Sequence, residues 1–294
     1  MKRLVSIVLT LCLACAPLCA QAASELSFSA ANDISQLKAL NGKEVTIMGY
    51  MATLSPISGK YMYLMNLPYQ SCPFCVPNTQ QLANTMAVYA KSGKTFEFTD
   101  RAVRVTGILR VEDYEDEFGY TYNYRITDAV YRVVDMSELP AKYALWQTVA
   151  SDGIIADVYA MFDYLHFVCQ WQDYLFNYYD ENDVYRQVNI YPGDVMNFLE
   201  DDGPYGYKTE TDPSYYPGLI ARVRAISATE LKGLTDILES CEKIRDYALT
   251  CLYSNEFEYI EAEDRFTQNN YDELYDLWYG VWYDFSVWLE TWQM

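Results

Sequence analysis

Glu44-Val45-Thr46-Ile47-Met48-Gly49-Tyr50-Met51-Ala52-Thr53-Leu54 alternates apolar and polar side chains in the manner of a half-buried strand. Residues 103–111 repeat the pattern, so that Val45-x-Ile47-x-Gly49 is answered by Val103-x-Val105-x-Gly107. A glycine inside each strand marks a bulge or a tight bend, the device that lets a small sheet coil. Three further runs, 61–67, 85–89 and 120–134, have strand composition, the first of them following a Ser-Pro and Ser-Gly turn. Five such strands predict an OB-like, partly open β-barrel over residues 34–135.

Inside this region stands Ser71-Cys72-Pro73-Phe74-Cys75-Val76-Pro77-Asn78, the segment whose residue types suggest chemistry rather than packing. Structural zinc needs four ligands, and this region has two thiols and no histidine. Covalent haem would need a histidine directly after Cys75, where Val76 stands. A local Cys72–Cys75 disulfide, an exchangeable redox pair and a metal contact remain as readings. Over residues 40–134, with the cysteine turn followed by Pro77-Asn78 and Gln81, the chain resembles an uncharacterised family of exported bacterial domains with an OB-like barrel. It departs from that family in having Cys75 and, after it, a single proline. The resemblance implies the barrel and export, and no activity.

The 294 residues are 51% hydrophobic and carry a formal net charge of −20, unevenly placed. Residues 1–135 hold 12 Lys/Arg and 12 Asp/Glu, whereas residues 136–294 hold 9 against 29 and contain all six tryptophans. The break predicts a second, acidic domain over 138–294. Such a surface repels nucleic-acid backbones and anionic membranes, which excludes nucleic acid as a partner. Tyr61, Tyr63, Tyr120, Tyr122 and Tyr124 could stack bases on a barrel, but no basic groove accompanies them, and they read as sheet packing.

Met1-Lys2-Arg3 and the apolar run 4–16 read as a secretory signal, cleaved after Ala22 by the small-x-small pattern of Ala20-Gln21-Ala22. A lipid anchor at Cys15 or Cys19 is less favoured, because neither has the usual lead-in. No later apolar run is long enough to span a bilayer. Cleavage leaves Cys72, Cys75, Cys169, Cys241 and Cys251, an odd number.

In the acidic half, Ile154, Val158, Met161, Leu165, Val168, Leu175 and Tyr179 recur in steps of four and three, interrupted at Gln172 and flanked by Ile155, Phe162, Cys169 and Phe176. This spacing predicts one long helix with a wide buried face. Ser227-Ala228-Thr229-Glu230 reads as a capping box for a second helix carrying Leu234, Ile237, Cys241, Ile244, Ala248 and Cys251. A third opens at Asn270 and carries Leu274, Trp278, Val281, Phe285, Trp288 and Trp292. Three such stripes predict an antiparallel α-helical bundle, making the whole chain α+β. Cys241 and Cys251, about 15 Å apart along one helix, cannot bond to each other. Cys169 could bridge to either, or all three could be small buried hydrophobes.

His166, the sole histidine, falls by spacing on the polar side of the first helix with Asp152, Tyr159, Asp173 and Asp180. No nucleophile elbow accompanies it, so it reads as a surface or boundary residue. The acidic run Asp113 to Gly119 fails the EF-hand pattern at Phe118 and Tyr124 and reads as a solvated hairpin tip, with weak calcium binding left open. Residues 180–218 read as a long loop with a short helix at 194–200. Within it Tyr185, Tyr191, Tyr205, Tyr207, Tyr215 and Tyr216 lie among Asp201 and Asp202, the mixture that sugar or cation sites use.

These features predict a non-catalytic binding protein, secreted or in the cell envelope, whose partner is an envelope protein or a glycan. No cofactor and no metal are expected, and oligomeric state is not readable. Thiol–disulfide exchange through Cys72 and Cys75 is the alternative.

Overall fold

A computed structural model of the chain describes residues 23–31, 33–53, 55, 58–66, 85–116, 119, 121–200 and 216–294. The expected signal sequence and the Cys72–Cys75 turn lie outside the described residues. Described residues up to 99 and within 103–133 form one compact unit; 100–102 and 134–294 form a second.

The first unit runs β1 (Ser24–Leu26), α1 (Phe28–Ala31), α2 (Ile34–Leu40), β2 (Glu44–Met51), β3 (Tyr61–Met65), β4 (Thr85–Ala90), β5 (Val103–Arg110), β6 (Tyr114–Glu115), β7 (Thr121–Tyr122) and β8 (Arg125–Val133). The order β2-β3-β4-β8-β5 closes through pairing of β2 with β5, giving a five-stranded barrel with β1 added alongside β2. β4 and β8 run parallel and the other pairs around the barrel are antiparallel. This is the strand order of an OB barrel. Val45, Ile47, Met62, Leu64, Met86, Val88, Val103, Val105, Leu109 and Ile126 fill the interior.

Both strand glycines sit where the ladder changes. The β5 ladder on β2 ends at Gly49 and the β3 ladder begins at Tyr50. Register between β5 and β8 shifts between Thr106 and Ile108, at Gly107. A side chain at either glycine would collide with backbone: Met65 O lies 2.7 Å from a Cβ built on Gly49, and Thr127 O 2.7 Å from one on Gly107.

The second unit runs α3 (Ala141–Ser151), α4 (Ile154–Gln170), β9 (Leu175–Tyr179), β10 (Tyr185–Asn189), α5 (Pro192–Glu200), α6 (Tyr216–Ala225), α7 (Lys232–Tyr253), β11 (Phe257–Ile260), β12 (Arg265–Gln268) and α8 (Tyr271–Glu290). Helices α4, α7 and α8 pack on one another, with α3 against α4 and α6 against α4 and α7. The stripe on α4 is buried from Ile154 through Cys169, and Leu274, Val281, Phe285, Trp288 and Trp292 are buried as their spacing predicts. Aromatic rings interlock at the seams: Phe162 lies 4.8 Å from Phe285, and Trp146 lies 5.2 Å from Trp292. Among the described residues no helix is long and apolar enough to cross a membrane.

Several local expectations are corrected. Helix α4 stops at Gln170, and Leu175, Phe176 and Tyr179 belong to β9. The cause is tertiary: Trp171 Nε1 donates to Gln268 Oε1 at 3.0 Å, and Gln172 Oε1 accepts from the Gln268 backbone at 2.8 Å, pinning the chain to β12. The capping box at Ser227 does not form. Ser227 has φ +54° and its hydroxyl donates back to the Arg224 carbonyl, so it closes α6 instead of opening α7. Residues 180–218, read as a long loop, hold β10 and the start of α6 besides the short helix expected there, α5. Cys169, Cys241 and Cys251 are free and buried, with no bridge from Cys169.

Candidate functional site

In an OB barrel the outer face of the second and third strands binds ligands, flanked by the loop joining the fourth and fifth. Here those strands are β3 and β4. Met62, Leu64, Met86 and Val88 point into the barrel, so by alternation Tyr61, Tyr63, Thr85 and Tyr89 face outward. This face is closed. The loop between β5 and β8 folds into the β6–β7 hairpin, whose Tyr114 packs 5.6 Å from Tyr89 and whose Tyr122 packs 6.4 Å from Tyr63. Tyr61, Tyr63 and Tyr122 are buried. Asp116, expected on a solvated tip, is only 7% exposed. Its Oδ2 accepts from Tyr122 at 2.8 Å and stands 3.3 Å from the Tyr63 hydroxyl. Arg125 lies 3.6 Å from the centre of the Tyr114 ring and donates to Glu112 at 2.9 Å. Burial raises the pKa of Tyr63, Tyr89 and Tyr122 above the ordinary tyrosine value, so these hydroxyls stay protonated. The arrangement is a packed polar layer over the outer face of β3 and β4.

The open surface lies in the second unit, on the β9–β10 hairpin. The register pairs Tyr179 with Tyr185, Asn177 with Gln187 and Leu175 with Asn189. Alternation then places Leu175, Asn177, Tyr179, Tyr185, Gln187 and Asn189 on one face. Phe176, on the other face, packs 5.0 Å from Phe198 of α5. The first face is turned to solvent: Tyr179 is 68% and Tyr185 52% exposed. Their rings meet edge to face at 5.5 Å. Asn177 Oδ1 accepts from the Tyr185 hydroxyl at 3.0 Å and from Gln187 Nε2 at 2.9 Å, so one amide oxygen orients both.

Asp180 builds the turn beneath this face. Its carboxylate accepts from the backbone of Asn182 and Val184 and from Arg186 Nε. The backbone bond from Val184, then those from Asn182 and Arg186, hold the Asp180 carboxyl below its usual range. At the other end, Asn189 donates to the carbonyls of Glu263 and Asp264, between β11 and β12. Tyr191 and Tyr259 both donate to Asp264 Oδ1, at 3.1 and 2.8 Å. The face therefore continues into a tyrosine–carboxylate corner.

Of the ligand residues expected from sequence, Tyr185 and Tyr191 lie on this surface. Tyr216 opens α6 and is fully buried, its hydroxyl donating to the Met161 carbonyl at 3.0 Å. Asp201, Asp202, Tyr205, Tyr207 and Tyr215 lie outside the described residues, as do Cys72 and Cys75. Sequence reasoning missed Asn177 and Tyr179 because a helical stripe ran through their segment, passed over Gln187 within the long loop, and missed Tyr259 and Asp264 altogether. The usable signal was the aromatic run Phe176-Asn177-Tyr178-Tyr179, which favours strand over helix.

His166 is half-buried, not on an open polar face. Its Nδ1 bonds the Tyr174 hydroxyl and its ring lies 4.4 Å from Trp278. Burial lowers its pKa, partly opposed by a bond to Gln170 and by Asp173 and Asp163. Tyr271 donates to Asp173 at 2.5 Å, and burial together with that bond raises its pKa to about 12. Among the described residues no cluster of His, Cys, Asp and Glu is suited to a metal ion.

No protein-family model and no curated protein matches the chain. Among solved structures it is similar to a DUF3299 family protein from Pseudomonas aeruginosa, at 19% identity over 39% of this chain and 99% of that one, with a TM-score of 0.28.

Proposed function

We propose that the protein is an exported, non-catalytic binding protein that recognises a neutral glycan through the outward face of the β9–β10 hairpin. The observation that carries this is the uncharged character of that face within an acidic half of the chain. Leu175, Asn177, Tyr179, Tyr185, Gln187 and Asn189 include no acid and no base. Tyrosine ring faces accept the apolar C–H face of a sugar, and amides offer both donors and acceptors to its hydroxyls. A cation would need carboxylates on the face itself, and an anion would be repelled by the surrounding charge. The signal-like leader supports a location in the envelope or outside the cell, where such glycans occur.

An array of neutral oligosaccharides probed with the mature chain tests the reading. Binding is expected to at least one member, and Tyr179→Ala with Tyr185→Ala should weaken it about 30-fold without altering the circular dichroism. Absence of any glycan binding, or binding indifferent to both substitutions, overturns it.

A further inference from the structure

Helix α8 carries a second surface, independent of the hairpin face. Its 20 residues include Asp272, Glu273, Asp276, Asp284 and Glu290 and no Lys or Arg. Leu274, Val281, Phe285, Trp288 and Leu289 face the bundle. On the opposite side Tyr275, Tyr279 and Tyr283 follow one another in steps of four, all exposed. Residues four apart form one row along a helix, rising about 6 Å per step. The Tyr275 and Tyr279 rings stack, 6.2 Å apart and within 4° of parallel. Asp272 and Asp276, also four apart, lie exposed beside that row.

We propose that this row is a docking surface for a basic, arginine-bearing segment of a partner protein. A guanidinium stacks on a tyrosine face while its N–H groups pair with a neighbouring carboxylate, which lysine does less well. Tyr275 beside Asp272 and Tyr279 beside Asp276, each ring three residues after its acid, offer that combination twice, one helical turn apart. Among the described residues of this unit, Arg186, Arg222, Arg224, Arg245 and Arg265 each pair with an acid away from the row. Charge decides between occupants. A second copy would set α8 against a like-charged α8, whereas a cationic segment gains from every carboxylate on the row.

The test measures anisotropy of a labelled helical peptide with arginine at every fourth position, against the same peptide with lysine. The mature chain is compared with Tyr275→Ala/Tyr279→Ala, with Asp272→Asn/Asp276→Asn, and with Asp236→Asn/Glu242→Gln on α7. The last pair removes equal charge from a different helix. Alanine is the best helix former, so the tyrosine variant should keep α8 intact. Expected are tighter binding of the arginine peptide and about tenfold weakening by each α8 pair, with the α7 pair within about twofold of wild type. Equal loss in the α7 pair would show diffuse charge attraction and overturn the proposal. So would unchanged binding by the tyrosine variant, or sedimentation showing that α8 is occupied by a second copy of the chain.

Discussion

Tyr122 donates its hydroxyl to Asp116 across 2.8 Å, and this bond fastens the β6–β7 hairpin over the outer tyrosines of β3 and β4. The Tyr63 hydroxyl lies 2.9 Å from that of Tyr122 and completes a buried triangle. A surface that other OB barrels leave open for ligands is here sealed by the protein's own hairpin.

Removing the carboxylate leaves a buried phenolic proton without its acceptor. Asp116→Ala is expected to cost about 2 kcal/mol in denaturant unfolding, and Asp116→Asn less, since an acceptor oxygen remains.

The same layer sets an alkaline limit. Burial raises the pKa of Tyr63, Tyr89 and Tyr122 above the ordinary 10.0 in the folded chain. Above that value the unfolded chain loses these protons while the folded chain keeps them, so stability falls as pH rises. Ultraviolet titration should show a set of tyrosines that ionise only with loss of structure. Their smooth ionisation in the folded protein would refute the layer.

Gly49→Ala and Gly107→Ala each drive a methyl into a backbone carbonyl, which cannot rotate away. Each is expected to destabilise the barrel by about 2 kcal/mol, read from the urea midpoint.

His166 gives the opposite pH dependence. Its folded pKa lies below the ordinary 6.5, so stability is full above that value and falls as pH drops through the folded pKa. The melting temperature should therefore decline on mild acidification, and His166→Gln should flatten that part of the curve.

Asp180 shapes the hairpin face proposed to bind a glycan, from the turn beneath it. Asp180→Ala frees the backbone of Asn182 and Val184, and hydrogen exchange in the hairpin should quicken while the bundle helices are unaffected. Glycan affinity should fall with it, even though the residues of the face are all retained.

The barrel was legible because its strands alternate and its two glycines repeat one pattern, both local signals. The buried faces of α4, α7 and α8 were legible for the same reason. What sequence could not reveal depends on partners far along the chain. Leu175 and Tyr179 stay in phase with the α4 stripe, and only Gln268, nearly a hundred residues on, shows why the helix ends before them. Asp116 sits in a run of acids that looks solvated until Tyr63 is seen to cover it. Ser227 has the sequence of a capping-box opener, and only its positive φ and the bond back to the Arg224 carbonyl show that it closes α6 instead. Of the candidate site, the tyrosine-rich region was visible, but the face that unites Tyr185 with Asn177 and Tyr179 required the hairpin register.

The central claim is that the hairpin face makes the ligand contact, and mapping a bound oligosaccharide by amide chemical-shift perturbation tests it most directly. The account predicts shifts concentrated on β9 and β10, strongest around Asn177, Tyr179, Tyr185 and Gln187. Shifts confined to the barrel strands, with β9 and β10 silent, would contradict it.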